Sequence, residues 1–321
     1  MMGMLLDIRD LKVYYSTLRG SVKAVDGISF SIGKGRSYGL VGESGCGKTT
    51  VALAITRLLP PNGEVVGGEI RYNGIDLLSM REEELKRKIR WKKISIVFQG
   101  SLNALNPVFT VGDQIAEAIL LHEDVDKEEA RQRAMELLSL VRIPTERVDY
   151  YPHELSGGQR QRVMIAMALA CNPEFTIFDE PTTALDVITQ AQILELIKDL
   201  QERLKLTTML ITHDLAVVAE LCDEVGVMYA GKLVESGEIE EIYESPLHPY
   251  TEFLVRTFPS IRGRKEFVEV PGSPPNLLNP PRGCRFHPRC PYAMEICRKE
   301  EPEYVKVEEG RFVSCHRVSR R

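Results

Sequence analysis

The segment Gly42-Glu43-Ser44-Gly45-Cys46-Gly47-Lys48-Thr49 matches G-x-x-x-x-G-K-S/T, the pattern of a phosphate-binding P-loop. Before it, the apolar run Ser37–Val41 predicts a buried strand, and after it a helix is predicted from Lys48 to Leu59, where Pro60-Pro61 stops it. The glycines let the backbone wrap phosphates, while Lys48 reaches the β/γ oxygens and the Thr49 hydroxyl ligates Mg²⁺. The placement between strand and helix therefore predicts an α/β nucleotide-binding core.

The composition is that of a chain with a full hydrophobic core and an acidic balance. Its 321 residues are 43% hydrophobic and 27% charged, and the formal net charge is −5. That charge argues against a general nucleic-acid or anionic-membrane binder, since both favour a basic field. The C-terminal end is locally basic, and a solvated face or an anion contact is the expected role of its arginines: Arg282, Arg285, Arg289, Arg317, Arg320 and Arg321.

The sequence shows no evident targeting or membrane-spanning segment. The start, Met1 to Asp7, lacks a basic region followed by a long apolar stretch. The longest apolar candidate, Val163 to Ala170, is far shorter than the ~20 residues that a transmembrane helix needs. We therefore expect a cytosolic chain that can dock on a membrane protein, and no disulfides among its 7 cysteines.

Strand and helix patterns alternate through most of the chain. Further strands are predicted at Leu5–Tyr15, Val22–Ile32, Glu69–Tyr72, Ile94–Phe98, Phe175–Phe178, Thr207–Ile211 and Val225–Met228. Helical spacing dominates from Val111 to Cys171. We expect a mostly parallel sheet, an antiparallel β subdomain and a helical subdomain inserted at about 100–171, together forming one domain at 1–245. The remainder, 246–321, is rich in proline with little periodicity, so it needs docking or a staple.

A second acidic element follows an apolar strand. Phe175-Thr176-Ile177-Phe178 runs into Asp179, which is placed to anchor Mg²⁺, and then into Glu180, which is placed to activate or orient the water that attacks the γ-phosphate. An Asp-Glu pair can also be a solvated strand end. The P-loop upstream and Pro181 to Asp186 downstream favour the catalytic interpretation.

Together with these motifs, Leu155-Ser156-Gly157-Gly158-Gln159 resembles the signature of ATP-binding cassette (ABC) proteins, and the resemblance extends from about Leu5 to Glu244. It implies that the signature closes over ATP held by a second subunit, so that each site is shared by two subunits. It further implies that Gln99 is the Q-loop glutamine, which contacts Mg²⁺ or the water, that His213 is the switch histidine at the γ-phosphate, and that Asp186 faces the other subunit. Tyr15, with Tyr14 as the alternative, aligns with the aromatic residue that stacks on adenine.

The expected catalytic residues are Lys48, Gln99, Glu180 and His213. The expected Mg²⁺ ligands are Thr49, Gln99 and Asp179. The expected ATP contacts are Tyr15, Gly42, Ser44, Gly45, Cys46, Gly47, Lys48, Thr49, Thr50, Gln99, Ser156, Gly157, Gly158, Gln159, Asp179 and Asp186.

The C-terminal segment carries a cysteine cluster. Cys284, Cys290, Cys297 and Cys315 are separated by 5, 6 and 17 residues, whereas Cys46, Cys171 and Cys222 are interpreted as small buried or loop residues. Four thiolates in a core-poor tail suggest a metal staple, for which tetrathiolate zinc and a [4Fe–4S] cluster are both chemically suitable. Four reduced cysteines without metal remain the alternative.

This tail, with His248-Pro249-Tyr250-Thr251 before it, resembles the C-terminal extension of oligopeptide/dipeptide importer ATPases, and Gly100 to Pro107 is also similar to that subfamily. The resemblance favours the [4Fe–4S] cluster over zinc. His287 and His316 flank cysteines, and we do not expect them to be ligands.

The resemblance also implies a function. The chain is expected to be a peripheral ATPase on the cytoplasmic face of the cell membrane that energises import of di- or oligopeptides, or of related solutes such as oligosaccharides or nickel. Its implied partners are permease subunits, a second ABC ATPase (a paralogue, or itself as a homodimer) and, indirectly, an extracytoplasmic binding protein, but not nucleic acid. Two alternatives are a soluble ABC ATPase of repair, translation or iron–sulfur assembly, and a non-enzymatic scaffold.

Overall fold

Two long antiparallel strands open the chain in the computed structural model, which describes residues 3–100, 104–257 and 271–318. The strands are β1 (Met4–Thr17), β2 (Gly20–Gly33), β3 (Ser37–Val41), β4 (Gly63–Tyr72), β5 (Ile75–Asp76), β6 (Ile94–Val97), β7 (Phe175–Asp179), β8 (Thr207–Thr212), β9 (Glu224–Tyr229), β10 (Lys232–Glu238), β11 (Val305–Glu308) and β12 (Arg311–Val313). The helices are α1 (Lys48–Thr56), α2 (Glu82–Lys88), α3 (Val111–His122), α4 (Lys127–Leu140), α5 (Gly157–Ala168), α6 (Val187–Leu204), α7 (Leu215–Leu221), α8 (Ile239–Glu244), α9 (Pro249–Thr257) and α10 (Glu295–Lys299).

The chain divides into two compact units. Unit 1 comprises Met1–Leu78 and Leu210–Arg321, and unit 2 comprises Ser79–Met209. The chain enters unit 2 after Leu78 and returns to unit 1 inside β8. The C-terminal extension thus belongs to the same unit as the P-loop. The domain boundary near residue 245 and the limits of the helical insertion remain predictions.

Unit 1 contains the expected antiparallel sheet, with strand order β2-β1-β4-β5. Leu6 pairs with Tyr72 and Ile8 with Ile70, and all four side chains are buried. Because alternate residues of a strand share one face, this register places the apolar residues of both strands on the same buried face.

The part of the second sheet that lies in unit 1 is mixed, because the strands added beyond β9 at one edge are antiparallel. Strand β3 pairs in parallel with β9, but β9, β10, β12 and β11 follow one another in antiparallel order. The tight turn between β9 and β10 contains Ala230 and Gly231, both with positive φ, of 49° and 83°. Two consecutive positive φ angles are typical of the short turns that join antiparallel strands.

Unit 2 combines a parallel strand pair with the predicted helices. Strands β6 and β7 are parallel neighbours. Thr110 caps α3 by accepting a hydrogen bond from the Asp113 amide, and Asp126 caps α4 in the same way. Helix α4 buries a stripe of small and aliphatic residues at a spacing of four: Ala130, Ala134 and Leu138. None of the helices in the described ranges is long and apolar enough to span a bilayer.

The proline-rich extension contains more regular structure than its sequence pattern indicates, and it docks inside unit 1. Strand β12 pairs with β10, where Glu235 lies opposite Val313. The ring of Phe286, 1% exposed, lies 5.1 Å from the Tyr229 ring and 5.4 Å from the Tyr250 ring. Docking onto this aromatic core supplies the apolar burial that the extension lacks alone.

Candidate active site

The P-loop joins β3 to α1 and has the expected wrapped backbone. Lys48 is buried, and its Nζ donates to the carbonyl oxygens of Gly42 at 2.7 Å and Glu43 at 3.0 Å. Gly47 caps α1 at φ 109°, and a Cβ on it would lie 2.1 Å from the Ala24 carbonyl oxygen. The glycine is therefore required both by its backbone angle and by the close approach of β2.

The two candidate adenine-stacking tyrosines have different surroundings. The Tyr14 hydroxyl donates to Asp26 at 2.5 Å, and burial, together with this hydrogen bond, raises the pKa of Tyr14 to about 12. The Tyr15 hydroxyl lies 3.2 Å from the hydroxyl of Thr50 in α1. Tyr15 is thus the tyrosine in contact with the P-loop helix, and its stacking role stays a prediction.

His213 lies between β8 and α7 in unit 1 and is exposed. The next residue, Asp214, caps α7 by accepting a hydrogen bond from the Ala216 amide at 2.8 Å. The Thr212 hydroxyl accepts a hydrogen bond from the Asp214 amide. These two hydrogen bonds fix the backbone conformation on the C-terminal side of His213.

In unit 2 the acidic element ends β7 as predicted. Asp179 is fully buried, and Glu180 has a left-handed backbone with φ 46°. Oε2 of Glu180 accepts hydrogen bonds from Gln99 Nε2 at 2.8 Å and from Thr183 Oγ1 at 2.9 Å. Non-glycine residues in this backbone region are uncommon and need support from their surroundings, which these two bonds provide.

The signature segment forms the start of α5. The Ser156 hydroxyl accepts from the Gln159 amide, and Gln159 Oε1 accepts from the Ser156 amide, so the two form a capping box. A Cβ on Gly158 would lie 2.4 Å from Cγ2 of Thr189. Thr189 in turn is held by Asp186, which caps α6 and accepts from the Thr189 hydroxyl at 2.7 Å. Thr189 therefore connects the signature to Asp186.

Within each unit, the structure brings several predicted residues together. In unit 1 these are the P-loop residues, Thr50 and Tyr15. In unit 2 they are Gln99 with Glu180, and, through Thr189, the signature with Asp186. The structure describes only part of the importer-like segment Gly100 to Pro107, since residues 101–103 lie outside the described ranges.

The cysteine cluster does not form a single-ion site. In the described ranges no group of three or more His, Cys, Asp or Glu residues is placed to hold a metal ion, so the expected metal staple is not supported. Burial, together with the neighbouring thiols Cys297, Cys315 and Cys290, raises the pKa of Cys284 to about 12. His287 Nδ1 and His316 Nε2 each lie within hydrogen-bond distance of a backbone carbonyl oxygen. Cys46, Cys171 and Cys222 are buried, as expected.

Two arginines of the extension make an anion contact, one of the two roles expected for them, rather than forming a solvated face. Arg285 and Arg289 are 8% and 7% exposed. Arg285 pairs with Asp26, and Arg289 pairs with Glu43 of the P-loop. Both therefore contact anionic side chains inside the protein. Glu43 and Arg289 were not among the predicted site residues, since the P-loop pattern leaves the position of Glu43 open. Arg320 and Arg321 lie outside the described residues.

The chain is similar to known families along nearly its whole length. The family described as "ABC transporter" matches residues 25–183, and the family described as "Oligopeptide/dipeptide transporter, C-terminal region" matches residues 234–297. The dipeptide transport ATP-binding protein DppD of Caldanaerobacter subterraneus subsp. tengcongensis is 46% identical over 318 residues, which are 98% of this chain and 97% of that protein. The oligopeptide transport ATP-binding protein OppD of Bacillus subtilis is 48% identical over 314 residues, which are 96% of this chain and 87% of that protein.

A solved structure agrees with these sequence relationships. The dimeric post-hydrolysis state of the ATP-binding cassette MJ0796 bound to ADP and phosphate has a TM-score of 0.65 and 30% sequence identity, covering 73% of this chain and 98% of that one. The P-loop, the Gln99–Glu180 pair and the capped signature helix therefore occur in the fold of a nucleotide-binding cassette. The chain belongs to the ATP-binding proteins of the ABC transporter family, in its oligopeptide/dipeptide branch.

Proposed function

We propose that this ABC ATPase energises a membrane importer of dipeptides or oligopeptides, or of related small solutes such as oligosaccharides, by hydrolysing ATP. The observation that carries the enzymatic part is the contact between Gln99 and Glu180, directly after buried Asp179. A carboxylate held by an amide donor is suited to orient a water and accept its proton. The proposal that the imported solutes are peptides is supported by relatives named for dipeptide and oligopeptide transport.

The remaining roles follow from the chemistry of each group. The P-loop amides and Lys48 bind the phosphates, Tyr15 contacts the adenine, and His213 contacts the γ-phosphate. Mg²⁺ would be held by Thr49, Gln99 and Asp179 and would neutralise charge on the β/γ oxygens. The full burial of the Asp179 carboxylate fits this role, because a buried carboxylate favours a nearby cation.

The proposal includes a second ATPase subunit, either a paralogue or a second copy of this chain. Ser156 is exposed at the start of the twelve-residue helix α5, where backbone amides are available to an anion. Val187 and Ile188, directly after Asp186, are 80% and 73% exposed. Two adjacent aliphatic side chains that are exposed in the single chain, such as these, are suited to be buried by a partner subunit. The similar cassette MJ0796 was solved as a dimer.

The further partners that we propose are permease subunits and, through them, an extracytoplasmic binding protein, with the chain peripheral on the cytoplasmic face of the membrane. The test is uptake of a labelled dipeptide by proteoliposomes that contain the permease subunits, this chain and its partner ATPase, with the binding protein supplied on the substrate side. Uptake should require ATP and be lost with Lys48→Ala. Uptake that persists with Lys48→Ala would refute the coupling.

Repair or iron–sulfur assembly is not favoured, since the C-terminal region matches the transporter family.

We further propose that the extension cysteines bind a [4Fe–4S] cluster rather than one zinc ion. Support comes from the nearness of the other three thiols, Cys297, Cys315 and Cys290, to Cys284, whose pKa they raise further after burial has raised it. A cluster distributes its thiolates over several irons, whereas zinc gathers four ligands around one ion. Anaerobically purified protein should be brown and contain iron. A colourless protein without iron would eliminate this proposal.

A further inference from the structure

We propose that Arg289 of the C-terminal extension is a positioning residue for the P-loop, which neutralises the Glu43 carboxylate and holds it in place beside the bound phosphates of ATP. The inference deepens the proposed ATPase function and rests on it. It assigns to the extension a direct effect on nucleotide affinity, in addition to any cluster that its cysteines bind.

The contact between Arg289 and Glu43 is a bidentate ion pair. Arg289 Nη1 donates to Glu43 Oε2 at 2.7 Å, and Nη2 donates to Oε1 at 2.9 Å. The side chain of Arg289 is 6% exposed and that of Glu43 is 24% exposed. Two parallel hydrogen bonds in a water-poor environment fix both the charge and the orientation of the carboxylate.

The orientation of Arg289 is itself fixed by its surroundings. Its Nε donates to the Pro271 carbonyl oxygen at 2.7 Å, and Nη2 also lies 3.4 Å from the Gly272 carbonyl oxygen. The guanidinium stands 5.7 Å from the centre of the Tyr229 ring, and Nη1 lies 3.3 Å from its hydroxyl. A guanidinium held by backbone carbonyls and an aromatic ring loses little further entropy when it binds a carboxylate.

The backbone of Glu43 is held as well. Its amide donates to the hydroxyl of Tyr250 at 2.9 Å, and its carbonyl oxygen accepts from Lys48 Nζ at 3.0 Å. Tyr250 is fully buried, with its ring 4.7 Å from that of Tyr229. The segment from residue 246 onward therefore contacts both the main chain and the side chain of this P-loop residue, through Tyr250 and Arg289.

A carboxylate in a phosphate-binding loop has an electrostatic cost that the arginine offsets. Glu43 follows Gly42, the first glycine of the P-loop, so it introduces a negative charge into the phosphate-binding loop. The Glu43 carboxylate and the phosphates of ATP are both negatively charged and repel each other, and the repulsion is stronger where water is excluded. The pairing with Arg289 cancels this charge and keeps the carboxylate directed toward the extension.

The test is Mg–ATP affinity and steady-state ATPase kinetics of purified full-length variants. Arg289→Met leaves the Glu43 carboxylate charged and without its ion-pair partner. The Kd and KM for ATP should rise by about tenfold, which is the effect expected of one uncompensated charge in a partly screened site. The kcat should stay within about twofold of wild type. Glu43→Gln removes the repelling charge and should bind ATP at least as tightly as wild type. The double variant Glu43→Gln/Arg289→Met should return the Kd to within about threefold of wild type.

Arg311→Met is the matched control. Arg311 lies in the same extension, its side chain is also 6% exposed, and it pairs with buried Glu235 rather than with the P-loop. This variant should leave the KM for ATP unchanged. The proposal fails if Arg311→Met raises the KM as much as Arg289→Met does, if Glu43→Gln alone weakens ATP binding tenfold, or if the double variant is not rescued. Wild-type ATPase activity, measured alongside, tests the proposed function separately.

Discussion

The side-chain amide of Gln99 donates a 2.8 Å hydrogen bond to Oε2 of Glu180, a residue 81 positions later in the sequence. The same oxygen accepts a hydrogen bond from Thr183 Oγ1 at 2.9 Å, and Glu180 has the uncommon positive φ of 46°. Together these features hold the carboxylate in one orientation after β7. Loss of the Gln99 contact should therefore affect the chemical step more than nucleotide binding.

Gln99→Ala should lower kcat for ATP hydrolysis by about tenfold or more, because a positioned donor to the catalytic base is removed. The KM for ATP should rise less than kcat falls, by no more than about threefold, since the P-loop and the other two proposed Mg²⁺ ligands, Thr49 and Asp179, are unchanged. The measurement is steady-state phosphate release. Gln132→Ala, at an exposed position of helix α4 in the same unit, is the control, and it should behave as wild type. An unchanged kcat in Gln99→Ala would contradict the assigned role.

Gly158→Ala should abolish most ATPase activity, because the added Cβ would lie 2.4 Å from Thr189 Cγ2 and force α5 and α6 apart. The companion change Thr189→Ser removes that methyl group but keeps the hydroxyl that bonds Asp186 at 2.7 Å. The double variant should recover activity to within about threefold of Thr189→Ser alone. Activity that stays lost in the double variant would mean that the Cβ obstructs the nucleotide rather than the helix contact.

Acid should destabilise the protein through His248. This side chain is 1% exposed, and burial lowers its pKa from 6.5 to about 3. Between these two values the unfolded chain binds a proton that the folded chain does not, so stability falls as the pH drops below 6.5. From pH 7 to pH 5 this group should remove about 2 kcal/mol from the free energy of unfolding, measured by urea denaturation.

His248→Asn is the matching variant, because its side-chain oxygen can still accept the Tyr250 amide hydrogen bond that Nδ1 accepts at 3.0 Å. The variant will be less stable at pH 7, since it leaves a cavity. Its additional loss between pH 7 and pH 5 should be smaller than that of wild type by about 2 kcal/mol. Equal losses in the two proteins would show that other groups dominate the acid response.

The sequence predicted those parts of the protein whose signal is local. The strand Ser37–Val41 is found with the predicted bounds, and α1 begins at Lys48. Helix α1 ends earlier than predicted, at Thr56, because Arg57 adopts a left-handed conformation that stops the helix before the prolines. Periodicity and motif spacing report on each segment alone, and the P-loop, β7 and the signature are such segments.

The parts that could not be predicted depend on contacts between distant residues. The pair Arg289–Glu43 joins positions 246 apart, and nothing in the local sequence of the tail indicates which anion its arginines meet. Similarly, β12 takes its place by pairing with β10, which precedes it by about 75 positions, and with its neighbour β11. Short strands and buried ion pairs of this kind are selected by tertiary packing rather than by propensity.

The central claim is that this chain hydrolyses ATP with Glu180 as the residue that activates water, between two subunits. Glu180→Gln tests it most directly, since the amide keeps the size of the side chain but cannot accept the proton. With Mg–ATP, this variant should bind nucleotide like wild type, show no turnover, and run as a stable dimer on size exclusion. ATPase activity at the wild-type rate in Glu180→Gln would contradict the account.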